Sequence, residues 1–365
     1  MRVVVAPDSF KGSITAAGAA AAIARGWRRA RPADDVTQLP LADGGEGTLA
    51  VLAAAVTGSR WHPAIVRGPG TADVEAAWLS LPGNVAVIEL ATAAGLTQLP
   101  ELQPLTAHSY GVGQLMAAAL EAGAARIVVA LGGSACTDGG SGLLAALGAR
   151  FLDAAGASLP PGGAALTTLA SIDRSGLRPR PPDGVSCLTD VRAPLLGPAG
   201  AAAVFGPQKG ADPAQVAILE DGLATLAGLL GGDPGQPGAG AAGGCGYGLA
   251  AGFGASLLPG AAELASIAGL PAALAGADLV VSGEGQYDAT SLRGKVVGAV
   301  ADAAAAAGVP AAIVAGRIAM LPPGGVISAD LTALAGSAQR AIAEPERWLE
   351  TAGAALADQI AGSSG

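Results

Sequence analysis

The chain has little charge, few aromatic residues and almost no histidine. Of its 365 residues 13% are Asp, Glu, Lys or Arg, 3% are Phe, Trp or Tyr, and the histidines are His62 and His108. Two histidines exclude a histidine-rich metal site. Without a Gly-x-Ser-x-Gly elbow, a Ser-His-Asp hydrolase does not fit either. No cluster of Lys or Arg offers a surface to nucleic acid or an anionic membrane. Cysteine is scarce: Cys136, Cys187 and Cys245 are odd in number and far apart, without metal-ligand spacing, a pattern that suits a reducing cytosol. The start, Met1-Arg2-Val3-Val4-Val5-Ala6-Pro7-Asp8, lacks a secretory apolar region, so a cytoplasmic location is expected. Mean hydropathy is +0.49, but its source is alanine; the longest uncharged stretch, 234–262, is broken by Gly and Pro and makes no spanning helix.

What the chain does have is alternation. Strand-like runs at 2–5, 36–41, 126–131, 185–189, 278–282 and 311–315 are separated by alanine-rich helical patterns such as 15–30, capped by Ser13 or Thr15, and 48–55. Further strands are expected at 325–327 and 332–335. Residues 74–81 and 85–90 read as an antiparallel pair joined by Leu81-Pro82-Gly83-Asn84. The expected fold is α/β with two domains. Residues 1–65 plus 276–365 form a discontinuous doubly wound (flavodoxin/Rossmann-like) parallel-sheet domain, and residues 66–275 form an inserted mixed α/β domain. The Gly/Pro stretch 231–246 reads as a mobile loop.

In such sheets ligands sit beyond the carboxyl ends of strands. A net charge of −9 means that positive potential for an anionic ligand must be local, so lysines in glycine-rich loops stand out. The richest loop is Gly132-Gly133-Ser134-Ala135-Cys136-Thr137-Asp138-Gly139-Gly140-Ser141-Gly142, between a strand and a helix. Its glycines and hydroxyls let amides approach an anion, and the helix adds its dipole: a phosphate cradle, or else a plain tight turn. It is neither a Walker A loop nor a Gly-x-Gly-x-x-Gly fingerprint. Asp8-Ser9-Phe10-Lys11-Gly12-Ser13 puts a lysine before a helix start, where it opposes the dipole unless an anion is bound. Asp43-Gly44-Gly45-Glu46 pairs two acids in a short turn, which suits Mg²⁺ or an acidic helix start. Asp190 follows the 185–189 strand, Lys209 sits in Phe205-Gly206-Pro207-Gln208-Lys209-Gly210, and Glu284, Asp288 and Lys295 share one more glycine-punctuated loop. Gly240-Ala241-Ala242-Gly243-Gly244-Cys245-Gly246 carries no charge and reads as a source of backbone contacts or a hinge.

Taken in order, Ala6–Ser13, Ala42–Thr48, Gly132–Gly140, Phe205–Ala211 and Gly283-Glu284-Gly285 resemble the motifs of bacterial glycerate kinases of type 1, over nearly the whole chain. The resemblance implies two α/β domains, ATP with Mg²⁺, and phosphorylation of D-glycerate, with 2-phosphoglycerate favoured over 3-phosphoglycerate. Gly132, Gly133, Ser134, Thr137, Asp138 and Gly139 would then hold ATP phosphates, and Asp43, Glu46 and Glu284 the metal. Lys11, Lys209 and Asp43 join Asp190, the expected base, in catalysis, with Asp8 or Asp43 as substitute bases. Asp8, Ser9, Arg192 and Lys295 would contact substrate. The chain departs from the family pattern at Ala193, where asparagine is usual, in His108-Ser109-Tyr110-Gly111-Val112-Gly113-Gln114, and at Gln286-Tyr287, where arginine-isoleucine is usual. These departures leave open a kinase for another small hydroxy acid or sugar acid. A nucleotide-binding protein without catalysis is the other reading. No nucleic acid or membrane partner is expected.

Overall fold

Val3, Val4 and Val5 are buried on successive, opposite sides of one strand, an arrangement found in a parallel sheet covered on both faces. The computed structural model of the chain describes residues 1–292, 294–324 and 326–363. In chain order its strands begin with β1 (Arg2–Val5), β2 (Asp35–Gln38), β3 (Arg60–Arg67), β4 (Asp73–Leu81), β5 (Val85–Glu89), β6 (Arg126–Ala130) and β7 (Arg150–Leu152). They continue with β8 (Ser171–Asp173), β9 (Val185–Leu188), β10 (Ser256–Leu258), β11 (Leu279–Tyr287), β12 (Ala311–Ile318) and β13 (Ile327–Asp330). The fold is mixed α/β. Its contacts gather into two units: Met1–Asp43, Ala50–Thr57 and Pro259–Gly365 make unit 1, and Gly44–Leu49 and Gly58–Leu258 make unit 2.

Unit 1 holds a parallel five-stranded sheet in the order β13-β12-β11-β1-β2. The helix Ala16–Ala30 follows β1, and the Thr15 hydroxyl accepts from the Gly18 amide at 3.2 Å to cap it. Its buried stripe of Ala16, Ala19, Ala20, Ile23, Ala24 and Trp27 repeats at helical spacing and packs into a core with Val281, Leu349 and Leu356. The C-terminal helix Pro345–Ser363 crosses it at very short range. A Cβ on Gly26 would lie 1.9 Å from the Glu350 carbonyl oxygen, and one on Gly353 would lie 2.2 Å from that of Ile23.

Unit 2 holds a six-stranded sheet in the order β10-β9-β6-β5-β4-β3. β3, β4 and β5 are antiparallel, whereas β5, β6, β9 and β10 run parallel. The expected antiparallel pair is β4 and β5; Gly83 and Asn84 take left-handed φ values of 79° and 56° in the turn between them.

The structure departs from the sequence expectations at four places. β3 has no counterpart in the sequence reading; it is an edge strand containing Pro63, whose missing donor is tolerated there. Residues 332–335 lie in the helix Leu331–Ala335, because the Asp330 carboxylate caps it by accepting from the Ala333 amide at 2.9 Å. Of the expected strand 325–327, Gly325 lies outside the described residues and Ile327 opens β13. The last part of the stretch read as a mobile loop is packed structure: Ala241–Tyr247 is helical, with Gly243, Gly244, Cys245 and Gly246 buried. Gly243 explains why. Its φ is +64°, and a Cβ there would stand 2.0 Å from the Cys136 carbonyl oxygen.

Candidate active site

In unit 1 the chain continues beyond β1 in register with β11. The Ala6 amide donates to Val281 O and the Asp8 amide to Gly283 O, at 2.7 and 2.9 Å. This carries Asp8 past the carboxyl end of the sheet, next to Gly283-Glu284-Gly285. On the other side of β11 Gly283 lets β12 come close, since a Cβ there would meet Val314 O at 2.5 Å. Asp8, Asp43 and Glu284 thus form one acidic group, with Lys11 Nζ 3.7 Å from Asp43 Oδ2 and Lys295 Nζ 4.0 Å from Glu284 Oε2. Burial, reinforced by the Asp43 and Glu284 charges, pushes the Asp8 carboxyl up to about 6. Burial likewise raises Glu284, against the pull of Ser291 and Lys295. The Glu284 Oε1 atom is buried with no hydrogen-bond partner. Ser9 is half-buried beside Asp8, and its amide donates to Asp8 Oδ1 at 2.6 Å. Gln286 is exposed and its side-chain amide donates to Asp288 Oδ2 at 3.1 Å; Tyr287 is fully buried against Val297 and Ile313.

In unit 2 the loop after β6 divides into two halves with different roles. The first half is a tight turn. The Gly132 amide donates to Gly44 O at 3.2 Å, and Gly133 has φ +72°. A Cβ on Gly132 would stand 2.6 Å from Gly45 Cα, and one on Gly133 would stand 3.1 Å from Glu46 Oε1. The Glu46 carboxylate therefore borders this turn. Lys209, only 2% exposed, donates from Nζ to Ser134 Oγ at 2.9 Å and to the Cys136 carbonyl at 2.5 Å. Burial pushes its pKa down. Its ammonium fastens Ser134 and Cys136 together.

The second half is sealed. Asp138 is fully buried, and its carboxylate accepts from Ser109 N and Ser109 Oγ at 2.8 Å, Gly140 N at 3.1 Å and Gly142 N at 3.2 Å. The Gly139 amide donates to Gly243 O, Ser141 N to Asp138 O, and Leu143 N to Ser109 Oγ. The amides that open the helix Ser141–Ala146 are thus consumed internally. Ser134, Thr137, Asp138 and Gly139, expected to hold phosphate, are buried within the unit, and the accessible part of the cradle is Gly132 and Gly133.

Asp190 and Arg192 are exposed just beyond β9. The expected metal set is divided, with Asp43 and Glu284 in unit 1 and Glu46 in unit 2. His108 is buried, its Nε2 3.1 Å from Gly70 O, and burial lowers its pKa; Gln114 Oε1 accepts from the Arg67 amide at 2.8 Å. Both departures therefore serve local packing.

Sequence reasoning missed Glu89. It closes the apolar run of β5, is 5% exposed, and accepts from Gly47 N at 3.0 Å and Leu49 N at 3.2 Å. It caps the start of the helix Thr48–Ala55 from a distant strand. Burial raises its pKa, opposed by those amide bonds. The available signal was a lone acid ending a strand that is otherwise Val, Ala and Ile.

Comparisons with known proteins agree across the chain. A family model described as the glycerate kinase family matches residues 3–361. The glycerate kinase of Bacillus subtilis is 42% identical over 329 residues, covering 87% of this chain and 85% of that protein. The glycerate 2-kinase of Escherichia coli K12 is 42% identical over 315 residues, covering 83% of this chain and 82% of that protein. A crystal structure of a candidate glycerate kinase 2 from Salmonella typhimurium LT2 superposes with TM-score 0.86 at 37% identity, covering 100% of this chain and 99% of that one.

Proposed function

The chain belongs to the glycerate kinase family, and from that premise we propose that it transfers the γ-phosphoryl group of ATP to the 2-hydroxyl of D-glycerate. The choice of the 2-hydroxyl is supported by the description of the E. coli relative as a glycerate 2-kinase. The observation that carries the reading is the group of three carboxylates and two lysines at the end of the unit 1 sheet, where one carboxyl is pushed up to about 6.

Phosphoryl transfer needs positioning, charge neutralisation and an acceptor for the hydroxyl proton. Asp8 is the proposed acceptor, because a carboxylate titrating at about 6 is a stronger base than an ordinary one and is still ionised at neutral pH. Asp190 is the alternative base. Lys11 and Lys295 are positioned to receive the glycerate carboxylate or the transferring phosphoryl group, with Ser9 as a further substrate contact. Arg192, exposed beyond β9 in unit 2, is a further candidate substrate contact. The turn at Gly133, held by Lys209 through Ser134, offers its exposed backbone to the ATP phosphates.

The donor set of unit 1 fits Mg²⁺: hard carboxylate oxygens, mutual repulsion that a cation relieves, and the orphaned Glu284 Oε1. Asp43 and Glu284 would hold the ion, with Glu46 as a separate candidate beside the phosphate turn. Bound there, Mg²⁺ would neutralise charge on the phosphate oxygens.

Incubation with ATP, Mg²⁺ and D-glycerate, followed by ³¹P NMR, should give the 2-phosphoglycerate resonance. A 3-phosphoglycerate signal would move the attack to the other hydroxyl, and turnover only on a different hydroxy acid would change the substrate. Lys209→Met is expected to raise KM for ATP by roughly 10- to 100-fold, the scale of a lost charged hydrogen bond, with kcat less affected. An unchanged KM for ATP would detach Lys209 and its turn from nucleotide binding.

A further inference from the structure

Two of the three cysteines, 109 positions apart in sequence, meet in the interior of unit 2. Cys136 Sγ and Cys245 Sγ are 3.8 Å apart, and both residues are fully buried, while Cys187 is buried on β9. The backbone pins the two segments together, since Gly139 N donates to Gly243 O at 3.0 Å and Gly243 has no side chain to hold Cys136 away.

The Asp138 carboxylate completes a trio whose ligand atoms lie within 4.8 Å of one another. A cation is nevertheless the poorer occupant. That carboxylate already accepts four hydrogen bonds from Ser109, Gly140 and Gly142, and the buried Lys209 ammonium interacts with both thiols and with Asp138. The two thiols are in contact, and their other hydrogen bonds are long: Cys136 Sγ donates to Ala242 O at 4.0 Å and Cys245 Sγ to Asp138 Oδ1 at 3.9 Å.

We propose that Cys136 and Cys245 are a reversible redox pair, joined as a disulfide by a small hydroperoxide such as hydrogen peroxide. One thiolate attacks the peroxide oxygen, giving a sulfenic acid and hydroxide, which takes up the proton that the thiol released. The second thiol then displaces the sulfenic oxygen as water. In sum, two thiols and one H₂O₂ give one disulfide and two waters, with the cysteine sulfurs oxidised and the peroxide oxygens reduced. The sulfurs must close from 3.8 Å to the ~2.05 Å of a disulfide, a short approach from existing contact. The hydrogen bond with Cys136, then burial and the Asp138 charge, hold the Cys245 thiol protonated, so the reaction proceeds through transient opening of the Ala241–Tyr247 segment. The bond would tie the sealed half of the loop after β6 to that segment. In a reducing compartment such a bond acts as a sensor rather than a permanent staple.

The test treats the full-length protein with hydrogen peroxide for increasing times, then denatures it, alkylates free thiols and digests it. The expected product is a peptide linked through Cys136 and Cys245, with the intact mass lower by two hydrogens. Dithiothreitol should reverse both changes. Closing so long a loop should raise the melting temperature of the oxidised protein by roughly 5–10 °C. Cys187→Ser should form the same link, and Cys245→Ala should not. The proposal is overturned if all three thiols remain alkylatable, if the link involves Cys187, or if peroxide only adds oxygen to single cysteines.

Discussion

Replacing Asp8 by asparagine should lower kcat by roughly a hundredfold or more, the scale of a lost general base, and yet make the protein more stable at neutral pH. The two effects have one cause. The Asp8 carboxyl is raised to about 6 by burial and by Asp43 and Glu284, so at pH 7 it is ionised where ionisation is unfavourable. A folded-state value above the ordinary 3.8 means that the stabilising contribution belongs to the protonated form. That contribution is complete below about pH 4 and is lost as pH rises through about 6. Asparagine keeps an oxygen for the Ser9 amide and removes the charge. Discounted for partial exposure, the gain at pH 7 is about 1–2 kcal/mol, or a few degrees in melting temperature. The wild-type kcat should fall as pH drops through about 6, as the base takes up its proton. Kinetics and thermal melts of Asp8→Asn and Asp190→Asn, run in parallel, decide the assignment. Near-normal kcat in the Asp8 variant, with collapse in the Asp190 variant, would transfer the role of base to Asp190. A loss of both activity and stability at Asp8 would make it a structural residue.

Asp138→Ala should cost about 3–5 kcal/mol of unfolding free energy, because it strands three backbone amides and one hydroxyl in a dry interior. The same change removes a negative charge that interacts with the buried Lys209 ammonium. Asp138→Asn should be intermediate, since one carboxamide oxygen replaces two carboxylate oxygens and its NH₂ faces donors rather than acceptors. Denaturant titration reads both variants as shifts in midpoint at constant slope. A midpoint within the error of wild type in Asp138→Ala would mean that the sealed half of the loop does not depend on this carboxylate.

The loop after β6 owes its shape to local residues and its chemistry to distant ones. Glycines, hydroxyls and a following helix correctly placed a strand-to-helix turn, and the runs 2–5, 48–55 and 126–131 matched their elements to within a residue. Which amides stay available to a ligand was not legible there. Asp138 looks in sequence like a loop acid free for ligand work, yet its donors Ser109 N and Ser109 Oγ come from 29 residues upstream. The Gly240–Gly246 run reads in sequence as a source of backbone contacts or a hinge, because nothing local says that it packs onto Cys136 and Gly139. Glu89 was overlooked for a related reason, since the amides it caps lie some 40 positions away.

The sequence by itself determined the alternation of strands and helices, the polar clusters at strand ends and the kinship with glycerate kinases. These follow from local spacing, turn chemistry and motif identity, which a linear chain carries in full. Only the tertiary structure decided that Asp8, Asp43 and Glu284 share one electrostatic group, that Lys209 is buried beneath Ser134, and that Cys136 touches Cys245. A carboxylate's proton affinity and an amide's availability depend on burial and on neighbours within a few ångströms, and those neighbours are brought from distant parts of the chain only by folding.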